Sequence, residues 1–108
     1  MQNSKLERIN KEMRKLFANF IEIESNKKSL VTVTRCQISQ DRKNIDVLVT
    51  VYPTEHEEQV IRFLDRRKWD ARDYMKKRIQ TRVIPFVTFK IDAGEKNRQK
   101  IDQLLNKV

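Results

Sequence analysis

The densest chemistry in the chain lies in one run, Arg66 to Arg82, RRKWDARDYMKKRIQTR. It holds eight bases, Arg66, Arg67, Lys68, Arg72, Lys76, Lys77, Arg78 and Arg82, against two acids, Asp70 and Asp73. The resulting +6 is two thirds of the formal +9 carried by all 108 residues. Neutralising charge of that density takes a polyanion, and for a small protein nucleic acid is the commonest one. The plainer reading is a solvated helix face that only aids solubility. Arg42 and Lys43, in a turn, and Arg35, on a strand, form a second tier of candidate phosphate contacts. Such contacts position a protein on a nucleic acid without reading its sequence.

Bond-making chemistry is harder to find. The lone histidine, His56, has Glu55, Glu57 and Glu58 beside it but no second imidazole, so it reads as an ordinary exposed helix residue rather than a metal ligand. The single cysteine, Cys36, allows no internal disulfide, which fits a reducing compartment. It falls on an apolar-leaning strand face and reads as a small buried residue, not a nucleophile. No Ser-His-Asp set, cysteine–histidine pair or metal constellation can be assigned by spacing. Gly94 is the only glycine, which excludes loops that cradle phosphate on several bare backbone positions. The expectation is therefore a binding protein and not an enzyme, with no cofactor and no metal. A ribonuclease built from lysine, His56 and glutamate is the enzymatic alternative. Trp69 reads as a hydrophobic anchor, with base stacking as its other use.

The elements that must position these residues follow from periodicity. Residues 4–24 place Leu6, Ile9, Met13, Leu16, Phe17, Phe20 and Ile21 on one helical face. Leu30–Ser39 is β-branched and alternating, with Leu30, Thr32, Thr34, Cys36 and Ile38 on one side and Val31, Val33, Arg35 and Gln37 on the other. A turn at Gln40–Asn44 leads to a second strand, Ile45–Tyr52, and the short connection predicts an antiparallel hairpin. A helix follows from Glu55 to about Lys68, a break near Lys68–Asp70, and a second helix to about Gln80. Arg82–Asp92 is a third strand, with Val83, Val87, Phe89 and Ile91 toward the core and Pro85 marking an edge. A last helix runs to about Asn106 with Ile101, Leu104 and Leu105 inward. Ser4/Glu7, Thr54/Glu57 and Asp92/Glu95 have the spacing of capping boxes. Hydrophobic residues make up 38% of the chain, enough for one core, and residues 1–108 are expected to form one domain. No apolar run approaches the ~18 residues of a membrane span, and the N-terminus has no apolar signal core, so the cytoplasm is the expected location.

The order α-β-β-α-α-β-α predicts an α+β fold, a three-stranded sheet packed against helices. A helix pair between strands in this order resembles a KH domain of the bacterial type (type II). Such domains clamp nucleic acid with a GXXG loop between the helices, and here the junction reads Arg67-Lys68-Trp69-Asp70. Nearly the whole chain resembles the ribosome-binding factor A family, which has a KH-like fold without that loop. Val31-Thr32-Val33-Thr34 with Ile38, Ser39 and Asp41 looks like the family's first hairpin arm, and Ile45, Val47, Val49, Thr50 and Val51 its second. Arg72 with Met75-Lys76-Lys77-Arg78 matches the basic second helix. Arg82, Pro85, Val87 and Phe89 fit the Arg-x-x-Pro-x-Leu-x-Phe strand, with Asp92 as its following acid. Ile101-Asp102 and Leu104-Leu105 fit the closing helix. The family's Ala-x-Gly at the interhelical kink is replaced by Arg67-Lys68-Trp69. The resemblance implies a monomer that binds the small ribosomal subunit and its rRNA during late assembly. It also implies support for processing of precursor rRNA at its 5′ end and for growth in the cold. The alternative from another class is a general KH-like RNA-binding protein or RNA chaperone without subunit specificity.

Overall fold

The computed structural model describes residues 4–25, 27–80 and 82–106. Helix α1 (Ser4–Glu24) precedes a hairpin of β1 (Leu30–Ile38) and β2 (Asn44–Tyr52). A 3-10 turn at Thr54–His56 leads into α2 (Glu57–Arg66), α3 (Lys68–Arg78), β3 (Phe86–Ile91) and α4 (Ala93–Asn106). The sheet order is β1-β2-β3, with β1 antiparallel and β3 parallel to the central strand. The expected α+β order and the antiparallel hairpin are both present, and β3 is an edge strand. Pro85 stands one residue before β3, fully buried, so it removes no ladder donor.

One face of the sheet is covered by α1, α2 and α3. On β2, Ile45, Val47, Val49 and Val51 are all buried, the period-2 pattern of a strand with one wet face. Met13, Phe17, Phe20 and Ile21 meet them from α1, Leu64 from α2, and Ala71 and Met75 from α3. Phe17 packs edge-on against Phe89 of β3, with ring centroids 6.2 Å apart.

Strand β1 departs from the alternation read in its sequence. A β-bulge at Thr34 shifts the register between Val33 and Arg35. Val33 and Cys36 are therefore both buried, although strict alternation puts them on opposite faces. The bulge is held by the Thr34 hydroxyl, 2.6 Å from Oδ2 of Asp92 and 3.2 Å from the Leu48 carbonyl oxygen. Burial pushes the Cys36 thiol up to about 12, so it stays protonated and inert at neutral pH.

Of the capping pairs, Asp92 performs as expected: its Oδ1 accepts the Glu95 N–H at 3.0 Å. Thr54 does not. The chain enters α2 through the 3-10 turn, and neither Pro53 nor His56 makes a side-chain cap. The Ser4 side chain lies outside the described residues. The expected inward face of α4 is also absent: Ile101, Leu104 and Leu105 are 56%, 57% and 66% exposed. The radius of gyration is 14.8 Å with a long axis of 51 Å, against about 13 Å for a compact chain of this length. The sheet and the first three helices close the core without α4.

Candidate nucleic-acid interface

The basic run is broken at Arg67, one residue before the Lys68–Asp70 break that the hydrophobic spacing predicts. Arg67 has φ −103° and ψ 9°, in the bridge region open to any L-residue. The break between α2 and α3 is therefore made here without a glycine. Leu64 O accepts the Arg67 N–H at 2.9 Å and Arg67 O accepts the Ala71 N–H at 2.9 Å, so the ladder resumes at once.

The eight candidate cations of the run divide into two groups. Four are held by the fold. Arg67 Nη1 lies 3.1 Å from Glu24 Oε2, with its guanidinium over Phe63. Lys68 lies 3.9 Å from Asp65. Arg78 donates to the Tyr74 carbonyl at 3.2 Å and stacks on that ring. Arg72 is half-buried and forks onto two backbone carbonyls, Nη2 to Ile84 at 2.9 Å and Nε to Pro85 at 3.0 Å. The other four, Arg66, Lys76, Lys77 and Arg82, are exposed and have no ion-pair partner among the described residues. Lys76 and Arg82 share a shallow concavity with Ile79, Gln80 and Ile84. In sequence all eight look alike; in the fold, tertiary contacts hold Arg67 and Arg72, and contacts between near neighbours in sequence hold Lys68 and Arg78.

The second tier lies elsewhere. Arg35 stands on the open face of the sheet, 3.5 Å from Asp92. Arg42 occupies the left-handed region at φ 62° in the hairpin turn, with Lys43 exposed beside it. Asp41 shapes that turn, its Oδ1 accepting the Lys43 N–H at 3.0 Å. The Ser39 hydroxyl, then the Lys43 N–H, hold its carboxyl below the usual carboxylate range.

Asp92 ties the bulge to the start of α4. It is 4% exposed, accepts from Thr34 and Glu95, and faces Arg35. Donation by Thr34 contributes most, followed by the Glu95 N–H and the Arg35 charge; together they outweigh burial and lower its pKa.

Two residues differ from their expected settings. His56 is half-buried, and its Nδ1 is 2.7 Å from the Ser29 hydroxyl, so it ties the 3-10 turn to the start of β1. The pair borders a cavity of about 370 Å³ between α1, β1 and α2 that is lined chiefly by Ile21, Val31, Val60, Phe63 and Leu64. Trp69 is no buried anchor: it is 56% exposed, because the buried stripe of α3 is Ala71 and Met75. Its ring meets Phe86, itself 54% exposed, at 6.3 Å and 82°. Phe86 is the residue that sequence reading passed over. Its signal was present: it is out of phase with Val87 and Phe89, so it must point off the core.

Comparison with known proteins agrees with this geometry. The sequence profile of "Ribosome-binding factor A" matches residues 5–105. A ribosome-binding factor A of Fervidobacterium nodosum is 30% identical over 113 aligned positions, covering 99% of this chain and 90% of the relative. Among solved structures, ribosome-binding factor A from Thermus thermophilus superposes with a TM-score of 0.73 at 21% identity, over 80% of this chain and 93% of that one. A homology model of the Thermus thermophilus factor, fitted into the cryo-EM map of its 30S complex, gives 0.64 at 23% identity, over 72% and 85%. Among the described residues no helix is long and apolar enough to cross a membrane.

Proposed function

Because the chain belongs to the ribosome-binding factor A family, we propose that it binds the small ribosomal subunit through rRNA phosphates and supports late assembly, including processing of the precursor rRNA at its 5′ end. The observation that carries this reading is the group of open cations on and after α3: Arg66, Lys76, Lys77 and Arg82. They can meet phosphate without giving up a partner in the fold. Each contact releases counterions from the RNA, which drives binding and makes it salt-dependent. The fold neighbour in a 30S complex supports the small subunit as the particle concerned.

The mechanism needs only binding. Phosphate contacts orient the protein, and the shape of folded rRNA supplies selectivity, since the GXXG clamp for single strands is lacking. Arg67 and Arg72 contribute indirectly by tying α3 to Glu24 and to the Ile84 and Pro85 carbonyls. Arg35, Arg42 and Lys43 extend the positive surface over the sheet and the hairpin tip.

Co-sedimentation of the purified protein with small subunits, large subunits and free structured RNA, at two salt concentrations, tests this. Selective retention on small subunits at the higher salt is expected. Equal binding to all three, lost together as salt rises, would overturn subunit specificity and leave a general KH-like RNA-binding protein or chaperone.

A further inference from the structure

We propose that Trp69 and Phe86, braced by Arg72, form a stacking platform for an unpaired base of bound RNA. The proposal rests on the RNA-binding reading above and names the place where a base, rather than a phosphate, is held.

The two rings come from different elements, Trp69 from the first turn of α3 and Phe86 from the first position of β3. Both are more than half exposed. A tryptophan that packs for stability alone hides most of its area, because its hydrophobic gain scales with what is removed from water. This one leaves most of it uncovered while standing in the most basic run of the chain. Its orientation is nevertheless fixed. Phe86 meets it nearly perpendicular, and the Arg72 guanidinium lies 5.3 Å from the Trp69 centroid and 4.5 Å from that of Phe86. Arg72 is itself immobilised by its fork onto the Ile84 and Pro85 carbonyls. The platform is therefore assembled before any ligand arrives, which lowers the entropy lost on binding.

Charge selects the occupant. The Lys68 ammonium lies 5.9 Å from the Trp69 ring, and the open cations Arg66 and Lys76 belong to the same helix pair. An aromatic face rimmed by cations suits a ligand that combines a π-face with flanking negative charge. A nucleotide in a single strand has both, and stacking tolerates any base because every base has a π-face. Arg72 is a positioning residue here: its planar cation fixes the angle between the rings.

The chain has one tryptophan, so its fluorescence reports this site directly. Titration of the full chain with a short single-stranded oligoribonucleotide should quench that emission. An abasic oligomer of equal length and charge should bind in proportion to its phosphates and leave the emission unchanged. Trp69→Ala should weaken oligoribonucleotide binding by about tenfold or more, whereas Trp69→Phe should retain most of it. Phe86→Ala should lower affinity through a different element, separating loss of stacking from a local defect in α3. RNA that binds without quenching, or with undiminished affinity for Trp69→Ala, would overturn the platform while leaving phosphate-driven binding intact. Loss of small-subunit retention by Trp69→Ala at unchanged oligoribonucleotide affinity would also overturn it, by making the occupant a ribosomal protein. If neither oligoribonucleotide nor subunits bind at all, the reading beneath it fails as well.

Discussion

Asp92 shows how one side chain can join several levels of the structure. Its carboxylate caps α4, accepts from the hydroxyl at the β1 bulge and balances Arg35. Because these contacts lower its folded-state pKa, the native state binds the proton less readily than the unfolded chain does. Its contribution to stability is therefore complete above the unfolded aspartate value of about 3.9 and is lost as pH falls through the lower native value. Asp92→Asn can still cap, but it loses the charge and an acceptor from Thr34. The substitution should cost about 1–2 kcal/mol near neutrality, and the gap should narrow below about pH 4. Urea melts of both proteins at neutral and acid pH measure it. A gap that does not change with pH would mean that the ionised form does not matter.

At the scale of elements, α4 stands apart from the rest. Its first turn is fastened by Asp92 and by Lys96, whose Nζ lies 3.0 Å from Glu57 Oε1. Beyond that turn Ile101, Leu104 and Leu105 face outward. Helical periodicity marked them as a buried stripe, and the spacing was sound. Periodicity reports that a face is apolar, not that the same chain covers it. Replacing Leu104 and Leu105 by serine should therefore change global stability by no more than about 0.5 kcal/mol per site, as read from a denaturant melt. A loss of about 2 kcal/mol or more would show that the helix docks on the core in solution. The bulge in β1 teaches the converse. Alternation holds up to Val33, and a single extra residue then inverts the phase for Arg35, Cys36 and Gln37.

For the whole molecule the governing quantity is charge. The exposed Arg66, Lys76, Lys77 and Arg82, with exposed Lys43 and half-buried Arg42 at the hairpin, offer about six cations for phosphate. Around six phosphate contacts give a log–log dependence of affinity on salt with slope near −4 to −5. Binding to small subunits measured across a salt series tests this, and a slope near zero would rule out an electrostatic mode. Substituting Lys76 and Lys77 by alanine should flatten the slope by about two contacts' worth without moving the denaturation midpoint, because neither residue supports the fold.

Much of this protein was legible in its residues. The element order, the hairpin, the core faces of α1 and β2 and the basic run all follow from local periodicity and charge, which are properties of neighbours in sequence. The likeness to the family was legible for the same reason, since it lies in the order and spacing of those pieces. Tertiary structure alone decided which cations are open and which are clamps, because Glu24, Ile84 and Pro85 reach Arg67 and Arg72 only after the chain has folded back. It alone inverted the phase of β1, through a Thr34–Asp92 bond spanning 58 residues. It alone also brought Trp69 and Phe86 together in the open. Whether an aromatic residue is an anchor or a platform depends on what lies across from it, and that is settled by packing rather than by spacing.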